Sequence, residues 1–294
     1  MTDYIKQHGT TLEFPSGNAW VILNPTEKGI KEKIEYVGVP LKDWDISINY
    51  GIKTGCNDAF IINKDKRNEL IAKDKKSAEI IRPILRGRDI ARYQANFADV
   101  YLINTHNGIP SKNIPPIDIE KYPVIKKHLH EYSAKIEKRD DQGITPYNLR
   151  SCAYLDDFSK QKIIYPNMTK FLPFYYDTES YFTNQKCFII TGSYMAFLTA
   201  FLNSSLFKFC FRDNFPELQG GTRELSKIFF DKVPVFQIDS KINKLFEAKV
   251  IEIQKLKIKK INTKDKEVEI NNMIFDLYQL SEKERKTIGF IEIQ

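Results

Sequence analysis

Short apolar runs separated by polar turns dominate the middle of the chain and predict β-strands. Within these runs β-branched and aromatic residues alternate with polar residues or follow one another without a break, as in half-buried and fully buried strands. The predicted strands are residues 46–50, 59–62, 100–103, 162–166, 171–176 and 187–191. The sequence contains no internal repeat, so we expect these strands to form one mixed α/β body.

Apolar residues at helical spacing predict α-helices between the strands. A helix over residues 26–37 is expected after Asn24, with Pro25 near its first turn. Residues 122–139 follow a 3.6-residue period and predict a second helix. Residues 193–211 are strongly apolar, but polar positions interrupt them, so we expect one buried core helix here and not a membrane span.

The pattern becomes helical towards the C-terminus. Two amphipathic helices are predicted after residue 239, and we expect them to form an antiparallel pair. Ser281 with Glu284 forms a capping box that starts a last short helix. We therefore predict an α+β fold, in which a mixed-sheet domain precedes a C-terminal helical tail. The expected segments are an N-terminal helical or linker segment (1–45), an α/β domain (46–238) and a C-terminal helical segment (239–294).

Composition places the chain among ordinary globular proteins. Hydrophobic residues make up 42% and charged residues 28% of the 294 positions, which argues against extended disorder. No apolar run reaches the length of a membrane span, and no apolar segment follows a basic start, so we expect a cytoplasmic protein without a membrane partner. The four widely spaced cysteines predict free thiols, because no short Cys spacing suggests a zinc site or a disulfide framework.

Positive charge is concentrated in one part of the sequence. The formal net charge is +7, and residues 53–92 alone hold eleven basic and six acidic residues. The lysine-rich residues 64–76 are best explained as a solvated face. Arg82, Arg86, Arg88 and Arg92 are different, because arginine can bind a phosphate or a guanine edge with two donors, which lysine cannot.

No complete catalytic site is recognisable in the sequence. The histidines (His8, His106, His128 and His130) are expected at the surface, and no motif of a serine hydrolase, P-loop or dinucleotide-binding loop occurs. Two spacings resemble those of metal-dependent nucleases: Asp65 with residues 74–76, and Asp239 with residues 247–249. Such spacings arise by chance in a chain with so many charged residues. The glycine-rich cofactor loop and adenine-holding turn of a base methyltransferase are also missing. We therefore predict no catalytic and no metal-binding residues.

Three polar turns contain the side chains that recognise nucleic acids. They are residues 53–57, residues 86–89 and the longer residues 139–150, whose Arg, Gln and Asn side chains suit guanine and adenine edges. A turn held together by Asp and Asn caps is the alternative for residues 139–150. The predicted phosphate-binding residues are Lys53, Arg86, Arg88, Arg92, Arg139, Arg150, Lys162 and Lys170. The predicted base-reading residues are Asn57, Gln142, Tyr147 and Asn148.

Six ordered motifs resemble a known family. They lie at residues 51–62, 82–90, 145–154, 162–166, 202–206 and 274–280. Together these motifs resemble the TaqI-like C-terminal specificity domain, the target-recognition part of type IIG restriction-modification enzymes, over residues 28–288. The resemblance implies that the chain recognises double-stranded DNA as the specificity domain or subunit of such an enzyme.

The resemblance further implies that catalysis is performed by other domains or subunits. An adenine-N6 methyltransferase, and in many such enzymes a nuclease, would be the partner and would use S-adenosylmethionine and Mg²⁺, while this chain would need no cofactor. Two alternatives remain open at this point: an autonomous restriction endonuclease or DNA methyltransferase, and an RNA-binding protein, which the 13% aromatic content would suit through base stacking.

Overall fold

The computed structural model describes residues 24–291, and this part of the chain contains fourteen short strands and eleven α-helices. The strands are β1 Gly38–Pro40, β2 Ile46–Tyr50, β3 Ile61–Asn63, β4 Ile81–Leu85, β5 Ile90–Ala91, β6 Gln94–Ala95, β7 Val100–Ile103, β8 Lys162–Pro166, β9 Met168–Thr169, β10 Tyr175–Asp177, β11 Phe182–Thr183, β12 Cys187–Gly192, β13 Arg223–Glu224 and β14 Pro234–Phe236. The helices are α1 Pro25–Val37, α2 Asn57–Phe60, α3 Lys64–Lys73, α4 Pro123–His130, α5 Ser133–Ile136, α6 Met195–Leu202, α7 Ser205–Phe211, α8 Lys227–Phe230, α9 Ser240–Ile258, α10 Lys264–Leu277 and α11 Glu282–Ile288.

An antiparallel sheet in the order β10-β8-β12-β2 lies at the centre of the fold. Its strand β8 is buried along its whole length. Because side chains alternate across a strand, Ile163 and Tyr165 enter one hydrophobic core while Ile164 enters another. The sheet therefore separates two cores, which explains why β8 reads as a continuous apolar run.

The second core contains a mixed sheet in the order β11-β4-β7-β3. Strand β11 is parallel to β4, whereas β7 is antiparallel to both β4 and β3. Ile125 and Leu129 of α4 are buried in the same core. The two four-stranded sheets are joined by residues 183–187, the turn between β11 and β12.

The C-terminal helices pack into the first core. Val250 of α9 and Ile274 of α10 are buried together with Phe197 and Phe201 of α6. Ion pairs from Lys249 to Glu269 (2.7 Å) and from Lys266 to Glu252 (2.9 Å) run in opposite order along α9 and α10. The predicted antiparallel helix pair and the α+β class are thus confirmed. The three predicted segment boundaries stay a prediction.

Most predicted strands are present, but two begin differently. The strands predicted at residues 46–50, 100–103 and 162–166 are confirmed, and β12 is one residue longer than predicted. The strand predicted at residues 59–62 is wrong for its first two residues, because Ala59 and Phe60 form the end of the short helix α2. In residues 171–176 only Tyr175 and Tyr176 belong to a strand.

Two predicted helices are interrupted. Residues 193–211 form α6 and α7 instead of one helix, and Asn203 at the break bonds to Phe174 in both directions, at 2.8 Å through its amide nitrogen and 3.2 Å through its oxygen. Residues 122–139 form α4 and α5. The start of α1 is confirmed by a capping box between Asn24 and Glu27. No helix among residues 24–291 is long and apolar enough to cross a membrane.

Candidate nucleic-acid interface

Three strands end against one turn. β2, β4 and β8 all point their carboxyl ends towards residues 183–187, because β2 and β8 are antiparallel to β12 and β4 is parallel to β11. The backbone hydrogen bonds that fasten these strand ends to the turn are Ile52 N to Thr183 O (2.7 Å), Asn184 N to Leu85 O (3.1 Å) and Asn167 N to Lys186 O (2.8 Å). The turn therefore gathers the segments that follow three strands into one region.

Two glycines allow this close approach. A Cβ atom on Gly51 would lie 2.0 Å from the carbonyl oxygen of Asn184, and one on Gly87 would lie 3.2 Å from the carbonyl oxygen of Lys186. A side chain at Gly51 would thus clash with backbone that cannot move away. Both glycines belong to motifs by which the sequence resembles the specificity-domain family. The close approach of the backbone explains why these motifs contain glycine at these positions.

Two adjoining cavities open around the turn, with volumes of about 780 and 600 Å³. Both are lined by Asn167 and Lys186, so we describe them together as the strand-end groove. Its cationic lining residues are Lys53, Arg86, Arg88, Arg150, Lys170 and Lys186. Within the described part of the chain, no Asp or Glu lines either cavity. The groove is consequently a concave surface of one sign of charge.

Four of the six groove cations are free to bind a ligand. Lys53, Arg88, Lys170 and Lys186 are exposed, and none of them forms an ion pair with another residue of the range 24–291. Arg150 is also exposed, although its Nη1 lies 3.0 Å from Asp141 Oδ1. Three of the free cations are predicted phosphate-binding residues, and Lys186 is an addition from the structure.

Arg86 is held by a carboxylate of its own turn. Its Nε and Nη2 donate to the two oxygens of Asp89 at 2.8 Å each, and its backbone N–H donates to Asp89 Oδ2 at the same distance. Asp89 is buried, so this bidentate pair stabilises the turn and compensates the arginine charge. The structure therefore favours a scaffold role for Arg86 and leaves Arg88 as the available arginine.

Lys162 cannot contact a phosphate in this structure, and its predicted role is wrong. Its side chain is 0% exposed and its Nζ lies 2.5 Å from Asp177 Oδ2, which is equally buried. It also donates to the carbonyl oxygen of Phe158 at 2.6 Å. Burial lowers the pKa of Lys162 and raises that of Asp177, and the ion pair opposes both shifts.

Arg92 and Arg139 are also buried, so the phosphate contacts predicted for them are wrong. Arg92 Nη1 lies 2.6 Å from Glu267 Oε2, which ties the β5–β6 hairpin to α10. Arg139 lies 4.5 Å from the ring centre of Phe60. Its guanidinium donates to the carbonyl oxygens of Thr54, Asp141, Pro146 and Asn148. Arg139 thereby fastens the loop of residues 139–150 to the first polar turn.

The predicted base-reading residues are mostly engaged within the protein. Asn148 is buried and donates to the carbonyl oxygen of Ile117 at 2.9 Å, so a base-reading role for it is wrong. Gln142 donates to the carbonyl oxygens of Glu137 (2.8 Å) and Arg139 (2.9 Å), which leaves its amide nitrogen occupied. The loop is therefore a turn held by its own caps, the alternative that the sequence left open.

Asn57 and Tyr147 are more accessible, but neither lines the groove. Asn57 is exposed and accepts a hydrogen bond from Thr54 Oγ1 at 2.7 Å. Tyr147 is partly buried, and its hydroxyl lies 3.1 Å from His130 Nδ1. The structure does not bring these two residues together with the groove cations, and their predicted role in base reading stays a prediction.

One histidine lies elsewhere than expected. His128 is buried, with Nε2 3.0 Å from the carbonyl oxygen of Ala59, so the prediction of a surface position is wrong. Burial lowers its pKa, and the hydrogen bond with the carbonyl oxygen of Ala59 opposes this shift. His8 lies outside the described residues. Across residues 24–291 no cluster of three His, Cys, Asp or Glu side chains could hold a metal ion.

Apolar side chains accompany the cations of the groove. Tyr50 and Phe171 are 53% and 48% exposed, and each lines one of the two cavities. Met168, also exposed, lies beside Phe171 in the second cavity. The groove can therefore bind a polyanion that also presents flat or apolar surfaces.

The structure thus defines an α+β domain with a cationic groove at the ends of its strands. Residues 82–235, more than half of the chain, match the model of the TaqI-like C-terminal specificity domain. The chain therefore belongs to the TaqI-like C-terminal specificity domain family, as its six sequence motifs predict. No curated protein matches it.

Solved structures of restriction enzymes share the fold. The type IIL restriction-modification enzyme MmeI, solved in complex with DNA, is similar over 86% of this chain and 36% of its own, with a TM-score of 0.61 and 14% identity. The type IIG restriction endonuclease BpuSI is similar over 87% of this chain and 33% of its own, with a TM-score of 0.51 and 17% identity. The chain thus spans about a third of the length of these enzymes.

Proposed function

We propose that this chain is the sequence-specific DNA-recognition module of a restriction-modification enzyme and that its strand-end groove binds duplex DNA. The observation that carries the proposal is the groove itself, where six cations and no acidic residue of the described chain surround one hydrogen-bonded turn. Membership of the specificity-domain family supports the same conclusion.

The free cations would supply the phosphate contacts. Lys53, Arg88 and Lys170 lie on segments that follow three different strands, and Lys186 lies on the turn between them. Each cation that neutralises a phosphate releases a counterion, so the affinity becomes strongly salt-dependent. Such contacts position a duplex, whereas polar side chains on the turns read its base edges.

Catalysis would be supplied by other parts of the enzyme. The chain spans about a third of MmeI and of BpuSI, and among residues 24–291 no acidic residue that could hold Mg²⁺ lines the groove. An adenine-N6 methyltransferase that uses S-adenosylmethionine, with or without a Mg²⁺-dependent nuclease, is the partner that the family resemblance implies. In this arrangement the chain selects the site and the partner modifies it.

The salt dependence of DNA binding tests the proposal. The full chain is titrated into a fluorescently labelled duplex at several salt concentrations. If the four free cations and the exposed Arg150 each neutralise a phosphate, the slope of log K against log salt should be about −4 to −5. The double variant Lys53→Ala, Lys170→Ala should flatten the slope by about two units. The control is Lys241→Ala, Lys244→Ala, which removes two exposed lysines of α9 that do not line the groove.

A slope near zero, or equal slopes for the two double variants, would contradict this use of the groove. RNA binding is the second candidate function, because the exposed rings of Tyr50 and Phe171 could stack on unpaired bases. Competition with single-stranded RNA and with duplex DNA separates the two. We expect unlabelled duplex DNA to displace the probe at a far lower concentration than RNA.

A further inference from the structure

Gln185 presents an unoccupied amide to the strand-end groove. Its side chain is exposed and lines the first cavity, next to Lys186, which lines both. Neither its amide nitrogen nor its oxygen has a hydrogen-bond partner in the described range of the chain, unlike the amide nitrogen of Gln142. An amide with both groups free can donate and accept at once, which is what the edge of an adenine requires.

The backbone beneath Gln185 is held by several hydrogen bonds. Asn184 Oδ1 accepts the backbone N–H of Lys186 at 3.1 Å, and the carbonyl oxygen of Asn184 accepts the N–H of Cys187 at 2.9 Å. The same turn is fastened to the ends of β2, β4 and β8 by the bonds described above. A side chain on such a support loses little backbone freedom when it binds, so its contact can be specific.

The other uncharged polar side chains of the groove are less available. Ser151 Oγ accepts a hydrogen bond from Asn107 at 2.7 Å, and Thr169 Oγ1 accepts one from the N–H of Phe171 at 3.0 Å. The amide oxygen of Asn184 is occupied by the turn, and that of Asn167 is buried. Among the amide side chains that line the groove in the described range, Gln185 is thus the exposed one whose donor and acceptor are both free.

We propose that Gln185 is a specificity-determining residue, which reads one adenine of the target through its N6 and N7 edge in the major groove. This inference rests on the proposed function, since it assigns a base contact within the DNA-binding groove. The flanking cations Lys53, Arg88, Lys170 and Lys186 would hold the phosphates on either side of the base that Gln185 reads.

Selection of binding sites from random duplex DNA tests the assignment. The full chain, Gln185→Ala and Gln185→Glu are each used for selection, and Gln161→Ala is the control, because Gln161 is an exposed glutamine that lines a different cavity. The unmodified chain should require adenine at one position. Gln185→Ala should accept any base there and bind the original site about 5- to 150-fold more weakly, with unchanged affinity for unrelated DNA.

Gln185→Glu should prefer cytosine at the same position, because a carboxylate accepts a hydrogen bond from the cytosine N4 amino group. A purely structural role of Gln185 would not produce this change of base. The inference is overturned if Gln185→Ala selects the same site as the unmodified chain, or if it weakens specific and unrelated DNA equally. If the unmodified chain binds DNA without selecting a sequence, or does not bind it, the proposed function itself fails.

Discussion

Two groups of cations in this chain differ in what surrounds them. Lys53, Arg88, Lys170 and Lys186 lie exposed in the strand-end groove without ion pairs to described residues. Arg92, Arg139, Lys162 and Lys208 are at most 7% exposed. Arg92 and Lys162 are paired with buried carboxylates, and Arg139 donates to carbonyl oxygens. The first group is available to an external polyanion, whereas Arg92, Arg139 and Lys162 of the second group are already bound to internal partners.

The comparison shows that burial, and not charge density along the sequence, decides which cation is accessible to an external phosphate. A cation in water keeps its hydration and can exchange it for a phosphate, whereas a buried cation requires an internal partner to offset its lost hydration. Residues that look alike in the sequence therefore separate into binding and structural groups only when distant segments meet. Three predictions test this separation, in order of decreasing effect.

Breaking the ion pair between Lys162 and Asp177 should have the largest effect. In Lys162→Met the carboxylate of Asp177 would remain buried without its cation, and we expect a loss of about 3 to 5 kcal/mol of unfolding free energy. The double variant Lys162→Met, Asp177→Asn should recover part of this loss, because asparagine is neutral and keeps an acceptor for the N–H of Glu179. Urea unfolding followed by circular dichroism measures both.

Lys160→Met is the control for this prediction. Lys160 is two residues away and forms an ion pair with Asp157 at 2.7 Å, but its side chain is 55% exposed. Asp157 is buried, but it keeps its hydrogen bonds from Asn49 and Thr191 when the exposed Lys160 is removed. We therefore expect this variant to lie within about 1 kcal/mol of the unmodified chain. Equal stability of Lys162→Met and Lys160→Met would show that burial is not the deciding factor.

The fold could be predicted well where local pattern determines it. The strands at residues 46–50, 100–103 and 162–166 and the capping box of Ser281 depend on neighbouring residues, and the structure confirms them. The break at Asn203 could not be predicted, because the bonds that hold it come from Phe174, 29 positions away. The burial of His128 against Ala59 likewise depends on a contact between distant segments.

The candidate site was predicted only in part for the same reason. Lys53, Arg88, Arg150 and Lys170 line the groove as exposed residues, as a phosphate-binding role requires. Arg92 could not be separated from them, because its partner Glu267 is remote in sequence. Lys186 and Gln185 were missed, although a polar turn between two apolar runs was a signal that could have drawn attention to them.

Lys208 is the exception among the buried cations, and removing it should stabilise the protein. Its Nζ is buried without a hydrogen-bond partner in residues 24–291, and burial lowers its pKa well below the ordinary value of 10.5. Neighbouring Arg92 lowers the pKa further, whereas Glu267 raises it. Lys208→Met should therefore raise the unfolding free energy by about 2 kcal/mol near neutral pH.

The effect of Lys208→Met should depend on pH. Because the folded state disfavours the protonated amine, the unfolded chain binds more protons between the lowered pKa and 10.5, and the penalty from Lys208 decreases as pH rises through this window. The gain in the variant should thus be larger at about pH 7 than at about pH 10. Melting temperatures of Lys208→Met and of the exposed control Lys244→Met measure it. A lower melting temperature for Lys208→Met would show that its charge is needed by Glu267.

The smallest effect, and the most direct test of the comparison, comes from two arginines of one turn. Arg88 is exposed and lines the groove, so Arg88→Ala should flatten the salt slope of DNA binding by about one unit with little change in stability. Arg86 is paired with Asp89 at 2.8 Å, so Arg86→Ala should lower the melting temperature. When DNA binding of this variant is measured well below its melting temperature, the salt slope should be nearly unchanged. The salt slope and the melting temperature are measured for both variants. If burial and pairing decide the role of a cation, Arg88→Ala changes mainly the slope and Arg86→Ala mainly the melting temperature. The opposite assignment, a flatter slope for Arg86→Ala and a lower melting temperature for Arg88→Ala, would mean that the ion pair opens when DNA binds and that Arg86 reaches the phosphate in place of Arg88.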